Sequence, residues 1–175
     1  ESRKMKFCLT QDQQKLQDVA QKFCTSELGE LAESMEKENK PLPREWLKQY
    51  SEMGFLGVNV PKRYGGLGMG NIDALIVLEE FAKISSAVAF PVFESSVGPI
   101  KAIEHFSPES VKKELIPRVC SGDAIVAVAM SEENAGTALT DLKTKGEINR
   151  DKIIINGVKR WCSGGGHSDY YVVYC

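Results

Sequence analysis

The chain has 175 residues, 42% of them hydrophobic and 26% charged, with 22 Lys plus Arg against 24 Asp plus Glu for a net charge of -2. That balance fits one domain or one and a half of ordinary globular protein and excludes the disordered and fibrous classes. Nothing supplies the basic face that a duplex-binding protein needs, no apolar run approaches the roughly 18–20 residues of a membrane helix, and the polar, charged N-terminus does not read as a secretory signal.

Glu1 to Lys4 reads as an extra leader before a natural start at Met5. Thr10 followed by Gln13 is a capping-box pattern. Leu16, Val19, Ala20, Phe23, Cys24, Leu28 and Leu31 then keep helical spacing, predicting one helix of five turns that ends in the charged stretch before Pro41. Pro43 opens a second, short helix carrying Trp46, Leu47 and Tyr50, and Gly54 stops it. The glycine-rich run Gly65-Gly66-Leu67-Gly68-Met69-Gly70 lacks the spacing of either nucleotide loop. It is expected to be a tight connector rather than a phosphate cradle.

Asp73 to Ile84 forms a third predicted helix, with the Glu79-Glu80 pair expected to be solvated or salt-bridged. Ser95 to Phe106 forms a fourth, bent or delayed by Pro99, with His105 near its end among apolar residues as a structural histidine. Pro108 to Ile116 forms a fifth, with Ser107 as its cap and Pro117 after its end.

The hydrophobic period changes after Ser121-Gly122-Asp123. Ala124 to Met130 is a continuous apolar run suited to a strand buried on both faces, and Leu142 to Ile148 alternates like a half-exposed one. Asn149 to Asp151 reads as a turn, and Asn156-Gly157 is a hairpin signal between Lys152–Ile155 and Val158–Trp161. Tyr170 to Cys175 begins a further strand. A few strands with open edges are an unfinished sheet, so the chain is expected to be the front part of a longer polypeptide or a subunit completed by another chain. The five cysteines, Cys8, Cys24, Cys120, Cys162 and Cys175, are scattered and contain no C-x-x-C pair. They are read as free, small buried residues rather than disulfides or a zinc site, and no metal site is expected.

Several segments together resemble the acyl-CoA dehydrogenase family. Leu9-Thr10-x-x-Gln13-x-x-Leu16, Gly54-Phe55-Leu56-Gly57, Pro61-x-x-Tyr64-Gly65-Gly66-Leu67-Gly68 and Leu78-Glu79-Glu80-Phe81-Ala82 are similar to its helical segments. The most specific match is Met130-Ser131-Glu132-Glu133-Asn134-Ala135-Gly136-Thr137 followed by Asn156-Gly157-x-Lys159-x-Trp161-Cys162-Ser163-Gly164-Gly165. The resemblance covers almost the whole chain from Met5. It implies an all-α N-terminal domain over residues 5–120, then the first part of an antiparallel, barrel-like middle β domain over 121–175, with the family's C-terminal helical domain absent.

The function implied is an α,β-dehydrogenation of an acyl-CoA thioester with FAD as cofactor and an electron-transfer flavoprotein as electron acceptor. Val128, Met130, Ser131, Trp161, Cys162 and Ser163 match the family's flavin-contacting positions, and Gly136 and Thr137 those that meet the substrate's pantetheine arm. Backbone N–H groups over Val128 to Ser131 would stabilise charge on a reduced flavin. The catalytic glutamate of the family lies in the missing C-terminal domain, so no catalytic residue is named in this chain. Phe90, Phe93 and Ser96 are candidates for the acyl pocket. A homo-oligomer (dimer or tetramer) or hetero-oligomer, without nucleic acid or a transmembrane segment, is implied in the cytoplasm or mitochondrial matrix. The sequence departs from the family pattern at Glu133, Asn134, Ala138 and Gly164, and Glu133 brings a negative charge that would oppose flavin reduction if it lay nearby. An acyl-CoA oxidase, a non-oxidising family member and a non-catalytic scaffold subunit are the alternatives.

Overall fold

The computed structural model describes residues 8–175; the leader reading of Glu1–Lys4 and the start at Met5 lie outside them. Seven α-helices come first: α1 (Gln11–Glu27), α2 (Gly29–Glu38), α3 (Arg44–Glu52), α4 (Asn71–Ile84), α5 (Ser86–Ser96), α6 (Pro99–Phe106) and α7 (Glu109–Cys120). Four strands follow: β1 (Val126–Ala129), β2 (Lys145–Asn149), β3 (Lys152–Asn156) and β4 (Tyr170–Val173).

The helix starts follow local chemistry. The Gln13 N–H donates to Thr10 Oγ1 at 3.2 Å while the Thr10 N–H donates to Gln13 Oε1 at 3.0 Å, completing the expected capping box. The apolar series does not run on as one helix. Leu28 closes α1 and opens α2, so the chain turns there and buries Ala32 and Met35 in the same core as Ala20 and Cys24. Phe23, Tyr50, Phe55 and Phe81 knit α1, α3 and α4 together, with ring centroids 4.9–6.0 Å apart in mostly edge-to-face arrangements. Glu80 is 2% exposed and accepts hydrogen bonds from Gln17 and Lys83, while Glu79 lies 3.7 Å from Lys83, as the salt-bridged reading expects.

Helix α5 is the element the sequence does not announce. It buries Val88, Ala89, Val92, Glu94, Ser95 and Ser96, so no polar face marks its period, and Pro91 stands inside it without an N–H to donate. The single helix expected over Ser95–Phe106 is therefore two, α5 ending at Ser96 and α6 starting at Pro99. Helix α7 also runs past its expected end, through Pro117 to Cys120, and Ser107 makes no side-chain cap. His105 is exposed, with its ring 6.3 Å from that of Phe106, and is not enclosed in a core. The glycine-rich segment behaves as a connector: Leu67, Gly68 and Met69 donate backbone hydrogen bonds to Gly57, Val60 and Val58.

The strands correct the antiparallel expectation at one of their two pairs. β1 pairs with β4 in parallel (Val126↔Tyr170 to Ala129↔Val173), and β2 pairs with β3 antiparallel as a separate ribbon. Among the described residues no closed barrel forms. The ribbon turns at Arg150–Asp151, with Arg150 at φ 56°, inside the turn expected over Asn149–Asp151; no hairpin forms at Asn156-Gly157, and Val158–Trp161 forms no strand. Gly157 is needed for another reason. A Cβ there would lie 2.2 Å from Thr144 Oγ1, so the chain crosses Thr144 too closely for any side chain.

A second core joins the two halves. Val60, Ile100, Ile103, Ile116 and Val119 pack with Ala124 and Val126, and Tyr170 and Val172 of β4 close over them. Among the cysteines, Cys24 and Cys120 are buried, Cys162 is half-buried, and Cys8 and Cys175 are exposed, contrary to the expectation of burial for all five. Burial pushes the Cys24 and Cys120 thiols up to about 12, which keeps them protonated and unreactive. No helix among the described residues is long and apolar enough to cross a membrane.

Candidate functional site

The two segments singled out in the sequence meet at the C-terminal end of β1. The Arg160 N–H donates to the Ser131 carbonyl at 2.9 Å, Lys159 Nζ donates to the Met130 carbonyl at 2.9 Å, and the Cys162 thiol lies 3.3 Å from the Val128 carbonyl. Val128, Met130, Ser131, Trp161 and Cys162 thus gather on one ridge. The N–H groups of Met130 and Ser131 have no hydrogen-bond partner among the described residues.

The ridge is held from below by a carboxylate. Glu132 is buried, and its oxygens accept from the Lys143 N–H at 2.7 Å, the Thr144 N–H at 2.9 Å, the Thr144 hydroxyl and Lys159 Nζ at 2.8 Å. The Lys159 ammonium, with the hydroxyl and N–H donors, holds the Glu132 carboxyl down at about 2. Glu132 and Lys159 stand inside the two sequence motifs but were not among the residues given a role. The signal that could find them is the acidic pair Glu132-Glu133 in one segment and the basic pair Lys159-Arg160 in the other, in two segments expected to touch.

Trp161 sits at φ 55°, a left-handed conformation rare for a bulky residue, and its side chain is 78% exposed. The Arg160 guanidinium lies 4.2 Å above the indole. The geometry therefore offers a flat aromatic face to the outside instead of burying it in a core. Glu133 points outward as well, 81% exposed and 3.9 Å from Arg160, so its charge is solvated. Gly136 and Thr137 lie in the exposed turn after the Glu132↔Ala135 bridge, away from the ridge contacts.

Ser163 opens on a different feature, a cleft of about 350 Å³ between the helices and the Ser163–Ser168 loop. Its walls include Met35, Leu42, Leu47, Phe90 and Ile125, with Ser163, Gly164, His167 and Ser168 along one side. Of the three residues expected to line an acyl pocket, Phe90 borders the cleft. Phe93 does not, and the Ser96 hydroxyl is turned inward to accept from the Val58 N–H at 3.3 Å. The loop is clamped by Arg44, whose guanidinium reaches Asp169 through both nitrogens (3.1 and 3.0 Å) and the His167 carbonyl at 3.0 Å. Asp169 in turn accepts from the Ile125 N–H at 2.8 Å, and the Arg44 cation lowers its carboxyl below the usual range. Gly164 makes this fold possible, because a Cβ there would lie 2.1 Å from Ser168 Oγ and 2.7 Å from the Ala127 Cβ. Ser168 Oγ is itself buried with no partner among the described residues.

An exposed indole, neighbouring hydroxyls and unpartnered N–H groups beside an apolar cleft suit a flat, polar-edged ring system bound next to an aliphatic group. The comparisons agree with that class. The family's "Acyl-CoA dehydrogenase, N-terminal domain" matches residues 10–123 and its "Acyl-CoA dehydrogenase, middle domain" matches residues 127–175. The chain belongs to the acyl-CoA dehydrogenase family. It is 35% identical over 168 residues to mitochondrial isovaleryl-CoA dehydrogenase of Bos taurus, covering 95% of this chain and 39% of that protein. It is 31% identical over 174 residues to acryloyl-CoA reductase (NADH) of Anaerotignum propionicum, covering 98% of this chain and 44% of that one. A solved glutaryl-coenzyme A dehydrogenase–glutaryl-CoA complex superposes with a TM-score of 0.89 at 29% identity, over 97% of this chain and 43% of the other. The chain therefore spans about two fifths of the length of these relatives.

Proposed function

We propose that the protein takes part in flavin-dependent α,β-dehydrogenation of an acyl-CoA thioester, with FAD as its cofactor and an electron-transfer flavoprotein as its electron acceptor. The observation that carries this reading is the meeting of the two motif segments at one ridge, through the Arg160–Ser131 backbone bond and the Lys159–Met130 contact. In this reading Val128, Met130, Ser131, Trp161, Cys162 and Ser163 hold the flavin. The free N–H groups of Met130 and Ser131 face its polar edge, and the Trp161 indole packs on its ring. When bound, the flavin supplies the two-electron acceptor that no side chain of the chain can supply. Gly136 and Thr137 meet the pantetheine arm from the exposed turn. The general base is assigned to no residue here and belongs to the family's C-terminal domain. Residues 5–120 act as the helical unit and 121–175 as the start of the β unit, in a homo-oligomer (dimer or tetramer) or a hetero-oligomer.

The test is the visible absorption spectrum of the complete protein, recorded without oxygen before and after adding acyl-CoA thioesters. Flavin bands that bleach on addition support the reading. A protein that retains no flavin, or flavin that no thioester bleaches, overturns it. Because one relative is named a reductase, the same flavin should also be challenged with NADH; reduction by NADH in place of the thioester would reverse the proposed direction.

A further inference from the structure

We propose that Glu94 is a specificity-determining residue whose carboxyl hydrogen-bonds a hydroxyl carried on the acyl group, so that hydroxyacyl thioesters are preferred over aliphatic ones of the same length. The inference rests on the thioester reading above. Glu94 lies on α5, lines the cleft that Ser163 opens on, and is only 7% exposed. Among the described residues it receives no hydrogen bond and forms no ion pair. A carboxyl in that position is costly to bury unless something answers it. Met35, Leu47, Phe90 and Ile125 give the cleft an apolar wall, and Lys40, Arg44, Ser86, Ser163, His167 and Ser168 line it as well. The Ser168 hydroxyl in the same cleft is buried without a partner among the described residues. A nearly buried carboxyl and a buried hydroxyl without protein partners, beside the apolar wall of Met35, Leu47, Phe90 and Ile125, suit a ligand that is aliphatic along that wall and polar at one place.

The chemistry of the carboxyl narrows that polarity to a hydroxyl. Burial pushes Glu94 up to about 7, so both its forms are present near neutrality. The neutral acid can donate or accept, whereas the carboxylate only accepts. A hydroxyl satisfies either form. A methyl end leaves the group unanswered, and a carboxylate end is repelled by the ionised form. An ammonium end would share the cleft with Lys40 and Arg44, two cations already paired to Glu38 and Asp169.

The test uses unreactive probes on the complete, flavin-loaded protein: S-hexyl-CoA and S-(5-hydroxypentyl)-CoA, which match in length and differ at one end. Titration calorimetry should show the hydroxyl probe binding about tenfold tighter, the worth of one net hydrogen bond. Glu94→Gln should keep the preference, because its amide still accepts and donates. Glu94→Leu should abolish it, and matching melting temperatures of the two variants would show that folding is not the cause. Equal affinities in the parent protein, or a preference that survives in Glu94→Leu, overturn the assignment. If hexanoyl-CoA bleaches the flavin but no hydroxyl preference appears, only the role of Glu94 falls. If neither probe binds and no bleaching occurs, the thioester reading falls with it.

Discussion

Glu132 and Glu94 are buried to nearly the same depth, 8% and 7% exposed, yet their surroundings drive them in opposite directions. Four donors surround Glu132, and its carboxyl is held at about 2. Its folded pKa lies below the unfolded one, so its stabilisation is complete above the ordinary value of 4.5 and is lost as pH falls towards 2. Glu132→Gln should flatten the acid limb of a urea-denaturation series recorded from pH 5 to pH 2.5. For Glu94 the sign reverses. Its folded pKa is raised from 4.5 to about 7, so folding carries no penalty below 4.5 and an increasing one as pH rises through 7. Glu94→Gln should be more stable than the parent by about 3 kcal/mol at pH 8 and nearly equal to it at pH 4, as denaturation midpoints at the two pH values would show. The sequence made the ridge legible, because Ser131, Trp161, Cys162 and their neighbours stand in segments with a recognisable order of residue types. It could not reveal Glu94, since one acidic letter on a hydrophobic helix looks the same whether it faces water or a cleft.

At the level of elements, legibility tracked amphipathic contrast. α1 starts at its Thr10 cap and α3 lies between Pro43 and Gly54, where those signals stand. α5 has almost no polar face; the Ser85 hydroxyl caps its start by accepting from the Ala87 N–H, and the helix packs against α4, α6 and β1. The ribbon of β2 and β3 shows the opposite failure. Asn156-Gly157 has the composition of a tight turn, but the glycine serves the crossing over Thr144, and the ribbon turns at the other signal, within Asn149–Asp151. Two substitutions measure these contributions. Thr10→Ala removes the α1 cap and should cost about 1 kcal/mol in denaturant unfolding. Phe81→Ala empties the centre of the four-ring cluster and should cost about 3–5 kcal/mol by the same measurement.

Across the whole molecule, the helices and the parallel pair are not independent, because Val126, Tyr170 and Val172 complete a core begun by Ile100, Ile103 and Ile116. Val126→Ala should lower the midpoints of far-ultraviolet and near-ultraviolet circular dichroism melts together; separate transitions would show that the two halves unfold on their own. The Arg44–Asp169 fork spans the same junction from the surface. The parallel register also sets an order of assembly during synthesis. β1 leaves the ribosome well before its partner, since Val126 must wait for Tyr170, forty-four residues further along. At roughly 5–20 residues per second, the strand Val126–Ala129 spends about 2–9 s without its neighbour. During that interval the apolar face of α6 and α7 is the surface available to shelter it, so the nascent chain depends on its helices as a temporary host before the sheet can pair.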